Sequence, residues 1–435
     1  MREGCYTVDM HPDYKYEVEL TAMVYGGDAM GRLPDGRAVF VPFGLPGERV
    51  RIRLVEQKRG FARAELLDLL KPAPERIPPR CSHFAICGGC HYQHLAYSDQ
   101  LKLKEEIVRE QLIRIAGLPQ PPVLAIRPSP KPWYYRNAVQ FHLSPNARIG
   151  YQKASSHEVV EIHECHLPEQ VLNEVWPRLE FEPDNGLERL DVRLGDYDDL
   201  LLELEGQDLN PPDFSVDFPI SAVYRGPAGQ MVLSGVDYTL INILGFPFQI
   251  SSGSFFQVNT PQAEAMVRHL LELITVDKSA TVLDVYCGVG LFTAFLAERA
   301  GRVVGIEVAP SACEDFSANL DHFENVELYE GRAEDILPYL TLRPDIVVVD
   351  PPREGIERAA LDAILAMEAP TLIYVSCDPA TLGRDTKRLI KAGYQLKQVT
   401  PFDLFPQTFH VECMAKFEKN NDDSGEGKRV DDLNE

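Results

Sequence analysis

The sequence predicts a multidomain protein with a small N-terminal β-barrel at residues 1–71, a central, mainly β domain at 72–250 and a C-terminal α/β domain of Rossmann-like type at 251–418. A chain of 435 residues exceeds what one hydrophobic core usually supports. Short strands separated by turns fill the first part, whereas strand and helix patterns alternate after Phe256. The stretch at 419–435 is polar and acidic, so we expect a disordered tail there.

The barrel prediction rests on regularly spaced turns. Between Tyr16 and Leu70, turns containing glycine or proline recur at 26–27, 34–36 and 44–47 and separate short alternating strands. This pattern is typical of small β-barrels. A stiff connection of four prolines then predicts a domain boundary: Pro72, Pro74, Pro78 and Pro79.

The central region begins with a cysteine-rich segment and continues mainly as strands. Residues 101–115 alternate apolar and charged side chains at helical spacing, which predicts one helix. Beyond Trp133 the pattern indicates strands and turns, including strands at 140–143 and 200–204. We therefore expect a mainly β domain in this part of the chain.

The C-terminal region predicts a doubly wound parallel sheet. Thr260 and Pro261 are typical of a helix start, with a capping hydroxyl followed by a proline at the first helical position. Strand and helix candidates then alternate at 281–286, 291–299, 302–306, 311–320, 345–349, 371–375, 382–391 and 411–417. Such alternation indicates a parallel sheet covered by helices, in which ligands bind outside the carboxyl ends of the strands.

The composition restricts the class of protein and its partners. No basic segment leads into an apolar run at the N-terminus, and no stretch is long and apolar enough to cross a bilayer, so we expect a cytoplasmic protein without membrane contact. The net charge of −23 opposes nucleic-acid binding, because phosphates attract lysine and arginine. Residues 37–71, however, hold eight basic and four acidic side chains, so one face can still attract RNA.

A glycine-containing loop early in the C-terminal region predicts a cofactor pocket. Gly288 and Gly290 allow close approach of the backbone to a ligand, and Glu307, at the end of the next strand, suits a ribose diol. The third glycine of a dinucleotide fingerprint is missing, since Thr293 occupies that position. Together with Asp350, which two prolines follow, these features favour S-adenosylmethionine over the nucleotide of an oxidoreductase. The alternative is an ordinary turn between a strand and a helix without a ligand. Such a turn would need the glycines but no acidic residue at the end of the next strand.

A cysteine and a glutamate follow the later strands of the same sheet. Free cysteine is usually a small buried residue. Three cysteines of this region fit that description: Cys287, Cys313 and Cys413. Cys377 differs because it precedes Asp378-Pro379, where a turn outside a strand end exposes it to ligand, and a helix starting near Thr381 would help to hold it as a thiolate. Glu412 is by default a solvated carboxylate, but beside a nucleophile it is a candidate base.

Five motifs in the second half of the chain resemble the signature of bacterial and archaeal RNA 5-methyluridine methyltransferases. They lie in order at 253–259, 283–290, 350–353, 376–379 and 405–412. The resemblance implies a class I fold and transfer of a methyl group from S-adenosylmethionine to C5 of a uridine in RNA. It also implies a cofactor site lined by Gln257, Tyr286, Gly288, Gly290, Glu307 and Asp350.

The reaction that this resemblance implies is stepwise. Cys377 is the implied nucleophile and adds to C6 of the target uracil, which makes C5 able to attack the sulfonium methyl. Glu412 is the implied base, and removes the C5 proton so that the thiolate is expelled. The target base must leave its stack to reach such a pocket.

The N-terminal half contains a set of cysteines at ligand spacing. Without a secretory signal, nine cysteines are better explained as thiols, ligands or nucleophiles than as disulfides. Cys81, Cys87, Cys90 and the remote Cys165 supply four sulfurs, which can hold either zinc or an iron–sulfur cluster. The segment resembles the [4Fe-4S] motif of the ribosomal RNA members of the family, which implies a structural [4Fe-4S] cluster, with zinc as the alternative.

The first domain resembles the small, OB-like RNA-binding barrel called TRAM, chiefly at 26–31 and 41–43. A protein-binding barrel is the alternative, but beside a base-modifying domain such a barrel most simply delivers RNA. The barrel and the cysteine motif together favour 23S ribosomal RNA as the substrate, whereas archaeal relatives of similar architecture act on transfer RNA. Whether one uridine or two are modified stays open, and a monomer is expected.

Two other classes of function compete with this interpretation. The first is a non-catalytic RNA-binding iron–sulfur protein that has the methyltransferase fold without the activity. Such a protein would need neither Cys377 nor Glu412. An amino-group methyltransferase also uses an Asp-Pro-Pro turn but follows it with an aromatic residue and needs no thiol, whereas this chain has Arg353 at that position.

Overall fold

The computed structural model of the chain describes residues 15–420 except 155, 184–185 and 213–214. Within these residues the chain forms a closed five-stranded barrel, a seven-stranded central sheet, a two-stranded hairpin and a seven-stranded C-terminal sheet. The expected disordered tail falls mostly on residues 421–435, which lie outside the described part. None of the helices in the described residues has the length and apolarity needed to cross a lipid bilayer.

The barrel confirms the prediction for the N-terminal region. Its strands alternate buried and exposed side chains, so that residues such as Val18 and Leu20 fill the interior. Gly26 and Gly27, with φ of 106° and 91°, make the turn between the first two strands. The strands close in the order β1-β2-β3-β5-β4. Their bounds are β1 Lys15–Met23, β2 Asp28–Arg32, β3 Ala38–Pro42, β4 Arg49–Gln57 and β5 Phe61–Lys71.

The predicted helix of the central region begins earlier than expected and packs elsewhere. It is α1 (Tyr97–Gln111), extended by a π-helical turn at Leu112–Ala116. Its buried residues Val108 and Leu112 belong to one of the two hydrophobic clusters that cover the faces of the C-terminal sheet. The helix therefore belongs physically to the C-terminal region, although it lies in the central part of the sequence.

The central sheet has the strand order β12-β11-β10-β9-β6-β7-β8, and its neighbours are antiparallel except for β10 and β11. The strands predicted at 140–143 and 200–204 are confirmed as β6 and β10. The strands are β6 Ala138–Leu143, β7 Ile149–Gln152, β8 Val159–Glu161, β9 Leu187–Leu194, β10 Leu200–Gly206, β11 Ser221–Gly226 and β12 Gly229–Ser234. Helix α2 (Gln170–Val175) and 3₁₀ turns at Trp176–Arg178 and Asp196–Asp198 complete the region.

A hairpin formed by β13 (Tyr238–Ile243) and β14 (Phe246–Ser251) connects the central and C-terminal regions. Its residues Ile241, Phe248 and Ile250 share a hydrophobic cluster with the first helices of the C-terminal region. The boundary at residue 250 stays a prediction, but this packing joins the hairpin to the C-terminal region.

The C-terminal sheet has the order β17-β16-β15-β18-β19-β21-β20. Strands β15, β16, β18 and β19 are mutually parallel, as predicted. Strand β17, which was not predicted, is parallel to β16, whereas β21 is antiparallel to both β19 and β20. An ordinary loop joins β20 to β21, and two adjacent strands joined without a crossover helix must run in opposite directions. The strands are β15 Thr281–Val285, β16 Arg302–Glu307, β17 Val326–Glu330, β18 Ile346–Val349, β19 Thr371–Ser376, β20 Tyr394–Phe402 and β21 Glu412–Lys419.

Helices cover both faces of this sheet. Helix α3 starts at Thr260, but the capping position is Asn259, and the Thr260 hydroxyl instead accepts a hydrogen bond from the Asn137 amide at 3.0 Å. The expected role of Thr260 as the cap is therefore wrong. The helices are α3 Thr260–Leu273, α4 Leu291–Ala297, α5 Pro310–Leu320, α6 Ala333–Ile336, α7 Arg358–Ala366 and α8 Pro379–Lys391, with a 3₁₀ turn at Leu337–Tyr339.

Candidate active site

The strands of the C-terminal sheet bring the predicted site residues to one edge. The carboxyl ends of parallel strands meet at the same edge of a sheet, so residues after β15, β16, β18 and β19 are neighbours there. Because β21 is antiparallel, its first residue lies at that edge too. Ser376 pairs with Cys413 in the sheet register, which puts Cys377 and Glu412 at adjoining strand ends.

A cavity of about 1110 Å³ opens at this edge. Seven of the eight predicted cofactor and catalytic residues line it: Gln257, Tyr286, Gly288, Glu307, Asp350, Cys377 and Glu412. Gly290 is the last residue of the loop before α4, where φ is 92° and an added Cβ would come within 2.7 Å of Leu320 Cδ1. Glycine is needed there for packing between the loop and α5.

Glu307 fixes the shape of the loop after β15. One carboxylate oxygen accepts a hydrogen bond from the Gly288 N–H at 2.9 Å, and the other accepts from the N–H groups of Val308 and Ala309 at 2.8 Å each. Tyr286 takes a left-handed conformation with φ of 65°. Its N–H donates a hydrogen bond to the Ile306 carbonyl at 2.9 Å, so the end of β16 holds the start of the loop in place.

The cavity concentrates buried acidic groups. Burial, together with the charges of Asp284 and Glu307, raises the pKa of Asp350 to about 7. Burial likewise raises the pKa of Asp284 to about 7, although the Thr293 hydroxyl donates a hydrogen bond to it at 2.6 Å. A cationic ligand would relieve the repulsion among these carboxylates. S-adenosylmethionine, which carries a sulfonium and an ammonium group, fits such a pocket.

Cys377 and Glu412 are both held in their neutral forms by burial. The pKa of the Cys377 thiol rises to about 12 because of burial and of the charges of Glu412 and Asp350, and Arg353 opposes the shift. The pKa of Glu412 rises to about 8 through burial and the charge of Asp350. The raised pKa of Cys377 opposes the expectation that the following helix helps to hold this residue as a thiolate. Asp378, an acid, caps that helix and accepts hydrogen bonds from its first N–H groups.

The loop between β20 and β21 is anchored from outside the C-terminal sheet. The buried Lys104 ammonium of α1 pairs with the buried Asp403 at 2.5 Å and donates to the Phe405 carbonyl at 3.0 Å. Gln100 of the same helix exchanges two hydrogen bonds with Gln407, at 2.9 and 3.0 Å. Helix α1 therefore braces the loop that leads into Glu412.

Several cavity residues were not predicted as part of the site. They are Phe255, Arg353, Arg384, Arg388, Phe405 and His410. Phe255, Arg353, Phe405 and His410 lie within the recognised motifs, but residue type alone did not indicate that their side chains face the cavity. Arg384 and Arg388 lie on α8, whose helical pattern predicts an exposed face but not the neighbour of that face.

The four predicted cluster cysteines line a separate cavity of about 280 Å³. Cys81, Cys87, Cys90 and Cys165 are unpaired thiols whose pKa values are raised, first of all by burial. Among the described residues, however, no group of histidine, cysteine, aspartate or glutamate side chains is arranged to hold a metal ion. The structure thus brings the four cysteines together without showing a metal site.

A groove of about 1020 Å³ runs between the barrel, the central sheet and the C-terminal region. Cationic side chains from each of these regions line it, including Arg63, Arg114 and Lys153. Aromatic rings on its wall include Tyr25, Phe40, Phe43 and Phe409. Phe409 is next to His410, which lines the active-site cavity, so the groove and the cavity adjoin.

Two family models match the chain. Residues 236–420 match the tRNA (Uracil-5-)-methyltransferase family, and residues 15–67 match the TRAM domain. The first match covers the hairpin and the C-terminal sheet, and the second covers the barrel.

Curated relatives match nearly the whole chain. A protein of Oceanobacillus iheyensis named as an uncharacterized RNA methyltransferase is 33% identical over 92% of this chain and 96% of its own length. One of Gloeobacter violaceus with the same description is 35% identical over 93% of this chain and 96% of its own length.

A solved structure shares the architecture. The Pyrococcus abyssi tRNA (uracil-54, C5)-methyltransferase in complex with S-adenosyl-L-homocysteine aligns with a TM-score of 0.73 and 26% identity, covering 92% of this chain and 100% of that one. With the two family models and the curated relatives, this likeness identifies the chain as a member of the TRAM-containing RNA uracil-5-methyltransferase family, whose reaction uses S-adenosylmethionine.

Proposed function

We propose that this enzyme methylates C5 of a uridine in 23S ribosomal RNA through a covalent adduct between Cys377 and C6 of the target base. The observation that carries the proposal is the shared cavity, in which Cys377 and Glu412 lie beside the candidate cofactor residues. An unreactive ring carbon needs such an arrangement, because covalent addition at its neighbour makes it nucleophilic.

In this proposal Gln257, Tyr286, Gly288, Glu307 and Asp350 hold the cofactor, with Gly290 shaping the loop. The cofactor supplies an electrophilic methyl group, which is transferred to C5 of the uracil. Its positive charge lowers the cost of ionising the buried acids and Cys377, because an opposite charge favours the charged form of a titrating group. The raised pKa values of Asp350 and Cys377 support this coupling between cofactor binding and activation of the thiol.

Cys377 and Glu412 perform the remaining steps. The thiolate adds to C6 and saturates the C5–C6 bond, so that electron density moves to C5. After C5 has been methylated, the Glu412 carboxylate takes the C5 proton, the double bond re-forms, and the C6–S bond breaks to return the thiolate. The target uridine must be extruded from its RNA stack to enter the cavity.

Variants at the two residues test this mechanism with RNA transcripts and mass spectrometry. We expect Cys377→Ala to give neither 5-methyluridine nor adduct, and Glu412→Gln to transfer the methyl group but remain attached to the RNA. Cys313→Ala, a buried thiol outside the cavity, is the matched control and should retain turnover. Full turnover by Cys377→Ala would refute the covalent mechanism.

The choice of 23S ribosomal RNA is supported by the resemblance of the cysteine motif to that of the ribosomal RNA members. Transfer RNA is the second candidate, favoured by the likeness to the Pyrococcus abyssi enzyme. Nucleoside mapping of both RNAs from a deletion strain decides between them. Loss of 5-methyluridine from 23S ribosomal RNA alone supports the first, and loss from transfer RNA alone rejects it.

We also propose that Cys81, Cys87, Cys90 and Cys165 hold a [4Fe-4S] cluster that fixes the cysteine segment against the central sheet. All four thiols line one cavity of about 280 Å³, which leaves room for a group larger than a single ion. Metal analysis of protein purified without oxygen should give about four iron atoms per chain. Cys90→Ser should lose the iron, whereas a colourless protein containing zinc would reverse the proposal in favour of a zinc site.

A further inference from the structure

The barrel touches the turn that carries the candidate nucleophile. Tyr25, in the turn between β1 and β2, donates its hydroxyl hydrogen to Asp378 Oδ2 at 3.0 Å. Asp378 directly follows Cys377 in the sequence. A hydrogen bond between residues 353 positions apart thus joins the first domain to the active-site edge of the last.

Asp378 uses its two carboxylate oxygens for different purposes. Oδ1 caps helix α8 by accepting hydrogen bonds from the N–H groups of Ala380 and Thr381, at 2.8 and 2.9 Å. Oδ2 accepts from Tyr25. On the other side of Cys377, the Ser376 hydroxyl donates to the Asp378 carbonyl at 3.0 Å. The turn is therefore braced on both sides of the thiol, and Tyr25 supplies the brace that comes from another domain.

The same barrel turn also contacts the loop before Glu412. The ring of Tyr25 meets that of Phe409 edge to face, with 5.8 Å between their centroids. Gly27 packs on Phe409 so closely that an added Cβ would lie 3.3 Å from its Cδ1 atom, and its φ of 91° also favours glycine. One turn of the barrel thus touches both loops that carry the candidate catalytic groups.

Tyr25 itself does not line the cavity of Cys377 and Glu412; it lines the adjoining groove. Its hydroxyl therefore acts on Asp378 rather than on the reacting atoms. Burial and the neighbouring Asp378 charge raise the pKa of Tyr25 far above its ordinary value, so the phenol remains a donor throughout the working pH range.

We propose that Tyr25 is a positioning residue for methyl transfer, which holds Asp378 and thereby the orientation of Cys377 when the TRAM barrel is seated against the catalytic region. The inference rests on the proposed role of Cys377 as the nucleophile. It gives the barrel a part in the chemical step in addition to any part in holding RNA.

Steady-state kinetics of Tyr25→Phe in the full-length enzyme test the proposal. The change removes one hydrogen bond to a charged group while keeping the ring against Phe409, so we expect kcat to fall about tenfold. KM for RNA should stay within about twofold, because the ring that faces the groove is retained. Tyr224→Phe is the matched control: its hydroxyl donates to the Asp208 carbonyl at 2.6 Å in the central sheet, and its loss should leave kcat unchanged.

A second measurement needs no methylation. Without the Tyr25 hydroxyl, the Asp378 charge is less well compensated and opposes ionisation of Cys377 more strongly. We expect alkylation of Cys377 by iodoacetamide, followed by peptide mass spectrometry, to slow about threefold at fixed pH and to shift its pH profile upward. Tyr224→Phe should leave this profile unchanged.

A double-mutant cycle that combines Tyr25→Phe with Asp378→Asn tests whether Tyr25 acts through Asp378. Asparagine is a suitable replacement because its side chain can still cap α8. In the Asp378→Asn background, Tyr25→Phe should have no further effect on kcat or alkylation. An unchanged kcat and alkylation profile in Tyr25→Phe, or a rise in KM alone, would overturn the proposal. A wild-type enzyme that forms no 5-methyluridine would instead refute the proposed function, and the alkylation profile would still decide whether Tyr25 acts on Cys377.

Discussion

At the scale of single residues, burial raises the pKa values of both candidate catalytic groups. The thiol of Cys377 has its pKa raised to about 12 and Glu412 has its pKa raised to about 8. Arg353 opposes both shifts, and its guanidinium lies on the wall of the same cavity. A thiol that burial holds protonated is also less open to oxidation, since the thiolate is the reactive form.

The raised pKa of Glu412 predicts a pH-dependent adduct lifetime. A carboxyl group with a pKa of about 8 is charged above that pH, and only the charged form can accept the C5 proton. As the pH falls from about 9 to about 6, we expect slower release and a larger steady-state amount of adduct. Rapid quenching followed by mass spectrometry measures this amount. Glu412→Gln should lose the dependence, and a lifetime independent of pH in the wild-type enzyme would contradict Glu412 as the base.

At the scale of secondary-structure elements, α1 acts as a brace for the loop before Glu412. Lys104 and Asp403 form an ion pair in which neither side chain is exposed to solvent. Taking charges out of water is costly, so each member of such a pair depends on the other. The helix and the loop therefore hold a fixed relative position, which an exposed pair would not ensure.

Lys104→Met tests the brace. It leaves the Asp403 carboxylate buried without its cation, so we expect the free energy of unfolding to fall by about 3–5 kcal/mol in urea titrations. Lys102→Met, on the same helix, removes a lysine that is 72% exposed and paired with Asp99, and should leave the free energy of unfolding nearly unchanged. The combined Lys104→Met and Asp403→Asn variant should recover part of the loss. Equal costs for the two lysine variants would show that the buried pair is not important for stability.

At the scale of the whole molecule, the charge of −23 is compatible with RNA binding only if cations are suitably placed. Many cations of the barrel are already neutralised, because they pair with acids on neighbouring strands. These pairs include Arg49–Glu17, Arg51–Asp68 and Arg53–Glu65. The local excess of basic residues at 37–71 therefore overstates the attraction for phosphate. In the groove, Arg63 likewise pairs with Asp28, at 3.0 Å, but Arg114 donates to the neutral side chain of Gln111. The groove is therefore the better candidate for the RNA path.

Variants that remove one positive charge test whether the groove or the barrel surface binds RNA. Arg114 lines the groove, where its guanidinium donates a hydrogen bond to Gln111 at 2.9 Å, whereas Arg53 lies on the barrel in an ion pair. We expect Arg114→Ala to weaken RNA binding and to reduce the slope of log Kd against log salt by about 1. Arg53→Ala should change neither quantity appreciably. Filter binding over a salt series measures both, and equal effects would argue against the groove as the RNA path.

The sequence by itself determined the order of the regions, the barrel, most strands of the C-terminal sheet and the positions of the motifs. These features are local: turn residues, side-chain alternation and glycine loops depend on neighbours along the chain. Periodicity also placed Cys377, Glu307 and Asp350 after strands, and the rule that parallel strands share an edge then brought them together. Spacing identified Cys81, Cys87 and Cys90, and the family resemblance added the remote Cys165; all four line one cavity.

Only the tertiary structure decided which distant segments complete the catalytic region. Strands β17 and β20 and the antiparallel direction of β21 were not predicted. The packing of α1 and of the hairpin against the C-terminal sheet was not predicted either. The raised pKa of Cys377 and the hydrogen bond from Tyr25 to Asp378 could not be predicted from local sequence patterns either. Burial and contact between residues hundreds of positions apart depend on how the regions pack, and no property of the nearby sequence encodes that packing.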